Sequence, residues 1–329
     1  MYNPSSMNLT KAIKQEARRL GFDLAGITDA TAIDDKSVGL LTRWLKAGYA
    51  GQMSYMQRNF RKRINPAELL EGAESVIVTG LNYTPPKRKP KPSDPTIPIG
   101  KVAAYAQYED YHFFIKRQLR KLTEFINLFV GDACKFKICV DSAPLAERAL
   151  AARAGLGFIG KNHMLINPKL GCQIFLGEII TTLKLQTDEP VENSCSDCNR
   201  CLAACPTGAL KPDGQFDANK CISYLTIEYS QGGRLSAKDQ IPPDLAKRIG
   251  ARLFGCDECV LACPYQKNAP TCKNKEFKFY DDRAGLGLRN ILDMSEDDFE
   301  IKFADSPIKR LGLEGLKRNA RICLANITN

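Results

Sequence analysis

No run of 18 apolar residues occurs anywhere in the 329-residue chain, so a helix of the length needed to span a bilayer is excluded. The opening stretch, MYNPSSMNLTKAIKQEARRLGF, lacks the continuous apolar region of a secretory signal. The expected location is therefore the cytoplasm. There is no P-loop. Gly155, Gly157 and Gly160 in AGLGFIG match the letters of G-x-G-x-x-G, but they follow a helical stretch instead of a strand. That context argues for a tight turn and against a dinucleotide site. Histidine is scarce, with His112 and His163 the whole complement.

Cysteine is abundant. There are thirteen, and in a reducing compartment tightly clustered cysteines read as metal ligands instead of disulfides. Cys134, Cys139, Cys172, Cys272 and Cys323 fall outside any ligand spacing and read as small buried side chains. Hydrophobic residues make up 44% of the chain, enough for a substantial core, and the net charge is +10. Basic residues gather at 58–63 (RNFRKR), 87–91 (KRKPK), 116–121 (KRQLRK) and 317–321 (KRNAR). Each could be a solvated face; together they favour a polyanionic partner such as nucleic acid.

The pattern predicts helices over 9–20, 40–49, 111–129 and 144–155, and strands over 22–28, 75–83, 101–108, 136–140 and 173–185. Residues 84–98 carry six prolines and read as an exposed loop. Strands alternate with helices to about residue 190, which suggests an α/β or α+β sheet domain. Cysteine-rich loops and short helices follow to about Pro264, and a charged, mostly helical tail ends the chain.

Cys195, Cys198, Cys201, Cys205 and Pro206 match C-x2-C-x2-C-x3-C-P, the bacterial ferredoxin run. Zinc is poorly served by this spacing. A second run, CDECVLACPY, places Cys256, Cys259 and Cys263-Pro264 in the later positions of the same pattern, but Leu253 stands where its first cysteine should be. In ferredoxins the fourth cysteine of each run serves the other cluster. Cys195, Cys198, Cys201 and Cys263 would then hold one 4Fe–4S cluster. Cys205, Cys256 and Cys259 would hold a second, with Cys221 as the nearby candidate for the missing ligand.

The large segment before the clusters should contain the destination of their electrons. Cobalamin is one candidate, but the D-x-H-x-x-G motif of histidine-ligated cobalamin fails: Asp110 and His112 begin it and Ile115 breaks it. In CVDSAPLAERALAARAGLGFIGKNHML, Asp141 ends a strand and precedes a helix. It reads either as a helix cap or as a carboxyl at the strand end where open sheets place ligands.

VDSAPLAERALAARAGLGFIGKN, with CSDCNRCLAACPTGAL, CISYLTIE, GCDECVLACP and LKRNA, resembles the epoxyqueuosine reductase family over essentially the whole chain. The resemblance implies an α+β fold with three segments. These are a cobalamin-binding and catalytic α/β sheet domain over 1–190, a ferredoxin-like module with two 4Fe–4S clusters over 191–270, and a helical segment over 271–329 that packs on the core. It implies reduction of epoxyqueuosine to queuosine at the tRNA wobble position, by cobalamin-mediated deoxygenation with electrons relayed through the clusters. Asp141 matches the proton donor, for which a buried carboxyl with a raised pKa would suit. Arg63, Asp141, Ser223, Cys256 and Asp257 match positions lining the cobalamin, and Leu165, Leu176 and Ile179 would touch it more loosely. Implied partners are tRNA carrying epoxyqueuosine and an external low-potential electron donor, with no membrane and a monomeric state. The helical repeats that follow the core in some members are missing before Asn329. Two other readings share parts of this pattern: a reductive dehalogenase-like cobalamin enzyme for a small organic substrate, and a non-enzymatic electron carrier or cobalamin-trafficking protein.

Overall fold

The structure, a computed structural model, describes residues 6–87, 98–229 and 240–328. Its strands are β1 (Leu24–Asp29), β2 (Ser75–Asn82), β3 (Ile99–Val102), β4 (Phe136–Cys139), β5 (Phe158–Ile159), β6 (Leu165–Ile166), β7 (Ile174–Thr181), β8 (Arg252–Phe254) and β9 (Gly285–Gly287). The main sheet has the order β1-β2-β7-β4, and every neighbouring pair is antiparallel. This is an α+β fold. Every residue of β2 and β7 is buried, because both strands lie inside the sheet and both faces are covered.

Alternation along β7 sends side chains to two different layers. Phe175 and Ile179 face a core with Ile77, Leu81 and the apolar stripes of helices Ser6–Arg19 (Leu9, Ile13, Ala17) and Tyr111–Val130 (Phe114, Ile115, Leu119, Leu122, Ile126). Ile174, Leu176 and Ile180 face the other core with Val76, Val78, Leu165 and the short helix Glu147–Arg153. A third core lies under the cysteine region and unites residues 218–254 with the tail, including Leu288, Phe299, Phe303, Leu316 and Cys323. A small sheet, β8-β3-β9, draws one strand from the first part of the chain, one from the cysteine region and one from the tail. The single tryptophan ties the first part to the cysteine region as well, through Trp44 Nε1 donating to the Phe216 carbonyl at 2.7 Å.

Several expected elements change. The strand expected over 101–108 stops at Val102, and Ala104–Gln107 forms a 3-10 turn whose Gln107 side chain donates back to the Val102 carbonyl. The helix expected over 144–155 begins only at Glu147. Residues 88–97 of the proline-rich loop, and most of the basic cluster at 87–91, lie outside the described residues, as do 230–239. Among the described residues no helix is long and apolar enough to cross a membrane.

Candidate active site

Asp141 follows β4 at the end of the main sheet, where elements from both faces meet. Its Oδ2 accepts from Tyr111 Oη at 2.8 Å and lies 3.1 Å from His112 Nε2, both at the start of the helix on one face. Its backbone N–H donates to Glu147 Oε1 at 2.5 Å, at the start of the helix on the other face. Asp141 itself is held at φ 50°, a left-handed conformation that costs a non-glycine residue on the order of 1–3 kcal/mol and persists only where the surroundings enforce it. Asp141 therefore caps no helix: position N-cap of Glu147–Arg153 is Ala146, without a side-chain bond. The parallel-sheet rule for ligand sites does not account for its place either, since this sheet is antiparallel.

The expectation of a buried Asp141 with a raised pKa is corrected. Its side chain is 49% exposed. Desolvation pushes its pKa up, but hydrogen bonds from His112 and Tyr111 and the His112 charge outweigh that and hold the carboxyl below its ordinary value. The raised groups are its neighbours. Burial opposes the charged His112 ring, but hydrogen bonds to Asp110 and Asp141 overcome it and push His112 up to about 9. Asp110 also caps the helix, accepting from the His112 N–H at 2.9 Å. Burial and the Asp141 charge push Glu147 up to about 7. From the tail, Arg310 brings positive charge toward Asp141 while pairing with Glu228 at 2.6 Å.

Arg63, on Phe60–Ile64, sits in the same field as Asp141 and Glu147, and its Nε is buried without a partner among the described residues. Leu165 and Leu176 share one core. Ile179 does not join them: its side chain is fully buried in the opposite layer, because strand alternation separates it from Leu176. Ser223, on Ile222–Ile227, is half-buried, as are Cys256 and Asp257. The Asp257 carboxylate is occupied in accepting the Ala104 N–H at 2.6 Å.

The eight clustered cysteines are all unpaired thiols. Cys205, Cys221, Cys256 and Cys259 lie close enough for their thiolate charges to oppose one another. Cys201 likewise faces Cys195 and Cys198, while Cys195 and Cys263 share an apolar cluster with Phe158, Ile166, Val260 and Tyr265. Backbone N–H groups point at the sulfurs: those of Thr207, Ala209 and Leu210 at Cys205, of Ser223 and Tyr224 at Cys221, and of Tyr265 and Gln266 at Cys263. Such donors stabilise thiolates, so the donor set suits iron–sulfur clusters. Among the described residues these side chains do not converge on one point as the ligands of a lone ion would. A cluster instead spreads its thiolates over several irons.

Sequence reasoning passed over the residues that place these loops. Lys161 donates its backbone N–H to Cys195 Sγ at 3.4 Å and its Nζ to the Ser196 carbonyl at 2.9 Å. Asn162 Nδ2 reaches Cys172 Sγ at 3.7 Å and the Cys259 carbonyl at 3.4 Å. Cys172 is buried as expected, but its thiol lies against Cys263. Of the basic cluster 317–321, Arg318 is buried: with Asn319 it satisfies the Leu225, Thr226, Tyr229 and Leu253 carbonyls that frame the Cys221 and Cys256 loops. Each such bond contributes about 1 kcal/mol net. Gly255, at φ 73°, must lack a side chain, since a Cβ there would stand 2.6 Å from Ala103 Cβ. Two other basic clusters do meet. Lys62 and Lys116 line a cleft of about 400 Å3 with Lys137, and its wall runs over Cys139, Val140, Ser142, Ala143 and Pro144 on either side of Asp141.

An antiparallel sheet domain bearing a held carboxylate, joined to eight thiols in two groups, defines a class: an oxidoreductase fed through two iron–sulfur clusters. The profile described as "4Fe-4S double cluster binding domain" matches residues 194–266, and that described as "Epoxyqueuosine reductase QueG, DUF1730" matches residues 63–142. The chain is 38% identical over 320 residues to the epoxyqueuosine reductase of Vibrio cholerae, covering 97% of this chain and 83% of that one. A solved epoxyqueuosine reductase with an epoxyqueuosine-modified tRNA-Tyr stem loop superposes with a TM-score of 0.88 at 31% identity, over 98% of this chain and 82% of that one. That of Bacillus subtilis, with its catalytic aspartate loop swung out of the active site, gives 0.88 at 30% identity over the same shares. The chain belongs to the epoxyqueuosine reductase family.

Proposed function

We propose that this chain converts epoxyqueuosine to queuosine at the wobble position of tRNA, in the cytoplasm and as a monomer. The balance is an epoxide plus two electrons and two protons, giving an alkene and water. The electrons come from an external low-potential donor; Cys195, Cys198, Cys201 and Cys263 would hold one 4Fe–4S cluster and Cys205, Cys221, Cys256 and Cys259 a second, and such a pair would carry electrons singly. Cobalamin, when bound, supplies a strongly nucleophilic low-valent cobalt. Arg63, whose buried Nε lacks a partner among the described residues, Leu165, Leu176, Ser223, Cys256 and Asp257 are the residues that would hold it.

The observation that carries this reading is the Asp141–His112 pair at the sheet end, in a chain of this family. Near neutral pH the pair holds one proton, mainly on the ring, and it acts as one unit. In the step the ring proton passes from His112 to Asp141, which delivers it to the departing oxygen while Tyr111 orients the carboxyl. The tRNA-bound relative supports an RNA substrate. Lys62, Lys116 and Lys137, unpaired among the described residues, would take the phosphates beside the flipped nucleotide.

The test is Asp141→Asn. The variant should load both clusters, yet lose roughly 100-fold or more in single-turnover rate with pre-reduced cobalamin, and fail to restore queuosine to tRNA of a deletion strain. A loaded variant converting epoxyqueuosine at near-native rate returns Asp141 to a structural role.

A further inference from the structure

Glu178 is an unusual residue to find in the middle of β7. It is completely buried, facing Cys139 in β4 and Val78 in β2, and neither carboxylate oxygen has a donor among the described residues. Among the described residues, the Glu147 carboxyl lies within hydrogen-bond reach of it. Two carboxylates in contact in a buried site cannot both ionise cheaply, and a proton between them supplies the missing donor. Glu147 in turn accepts the backbone N–H of Asp141, the residue held in a left-handed conformation.

We propose that Glu147 and Glu178 share one proton and form a latch that holds the Asp141 turn in place, with Glu147 as a positioning residue for the acid. The proposal rests on the reading of Asp141 as that acid. The charged and titratable groups facing the pair are Asp141 and Cys139 from the β4 end, Arg148 on the same helix, Tyr111 from the helix on the other face, and Arg63 from Phe60–Ile64. Arg148 and Arg63 bring positive charge to the pair directly, and Lys116 and Lys137 reach it through Cys139. Burial holds the pair's proton past the ordinary carboxylate range, to about 7 for Glu147 and well above its ordinary value for Glu178. As pH rises beyond that point the second ionisation sets three carboxylates against one another. Repulsion then falls on Asp141, the one member of the three on an exposed turn.

The scarcity of histidine makes this measurable without turnover. With only His112 and His163 in the chain, histidine-labelled, cluster-loaded protein gives two ring signals by NMR. His163, whose pKa burial holds below the ordinary value, serves as the internal reference. Glu147→Ala removes the acceptor for the Asp141 N–H. His112 should then lose its Asp141 partner and titrate well below about 9, and the single-turnover rate should fall by roughly tenfold or more. Glu147→Gln and Glu178→Gln keep a carbonyl and an N–H at the contact but remove the shared proton. Wild-type rate should decline between about pH 6.5 and about pH 8.5, and in both Gln variants the ratio of the rates at those two pH values should approach one. An unchanged His112 titration in Glu147→Ala, or the wild-type decline persisting in both Gln variants, would overturn the latch. If Asp141 is not the acid, the Ala variant still moves the His112 signal while rate does not follow, so the two failures are distinct.

Discussion

The cysteine loops and the Asp141 corner solve the same problem, holding negative charge inside a protein, by opposite means. At the cluster end the stabilising groups are local: Cys205 is served by N–H groups of residues 207, 209 and 210, and Cys263 by those of residues 265 and 266. At the acid end nothing is local except Glu147, six residues on. Tyr111 and His112 lie 30 and 29 residues before Asp141, and Glu178 lies beyond another strand. A thiolate nest can therefore be written into a short stretch of chain, whereas a tuned carboxylate depends on the whole sheet and on both helical layers. Damage to a cysteine loop should remove a cofactor outright, and damage at the corner should detune a group that stays in place.

Cys221→Ala tests that contrast with the largest effect. Cys221 lies apart from both cysteine runs in sequence, but its thiol faces Cys205 and Cys256. The variant should retain about half the iron and sulfide and lose turnover, since a two-cluster relay cannot pass electrons through one cluster. Full iron content would show that another group completes the second cluster.

Neutralising Lys62, Lys116 and Lys137 together sharpens the comparison from the surface side, because it should spare both cofactor and acid. Affinity for tRNA should fall, and the slope of log K against log salt should shrink by roughly 2 to 3, at about 0.7–0.9 per lost phosphate contact. Cluster content should be unchanged. A slope equal to wild type would move the phosphate contacts elsewhere.

The smallest effect is on stability. His112 is raised to about 9 in the folded chain, so its contribution is fully present below about pH 6.5 and is lost as pH rises through about 9. Glu147 acts in the same direction over a lower window, from its ordinary 4.5 up to about 7. Asp141, lowered, contributes above its ordinary 3.8 and loses that contribution as pH falls. His112→Asn should flatten the alkaline limb of denaturant-derived stability by at most about 3 kcal/mol. An unchanged limb would mean that the ion pair with Asp141 contributes nothing to the fold.

Much of this was legible in one dimension. Cysteine spacing is set by the geometry of a cluster wrapped by a short loop, so the four positions from Cys195 to Cys205 announce themselves. The apolar runs of β2 and β7 and the stripe along Tyr111–Val130 also read directly, because strand and helix periods dictate which side chains share a face. His112 was visible but was weighed against a cofactor motif that failed. Its partner lies 29 residues away, and no local spacing encodes that distance. Ile179 was grouped with Leu176, yet it faces the opposite layer: one residue along a strand reverses the face, and which layer each face meets is settled only when the layers pack.

The sequence alone determined the two cluster loops, the alternation of elements and the chemical kind of each charged group. Tertiary structure decided their values. It left Asp141 half-exposed between Tyr111, His112 and Glu147, buried Glu178 against another acid, and brought Lys62, Lys116 and Lys137 to one cleft. The physical reason is range. Ligand spacing and periodicity act over a few residues, whereas a pKa is set by whatever burial and charge the folded chain brings within a few ångströms.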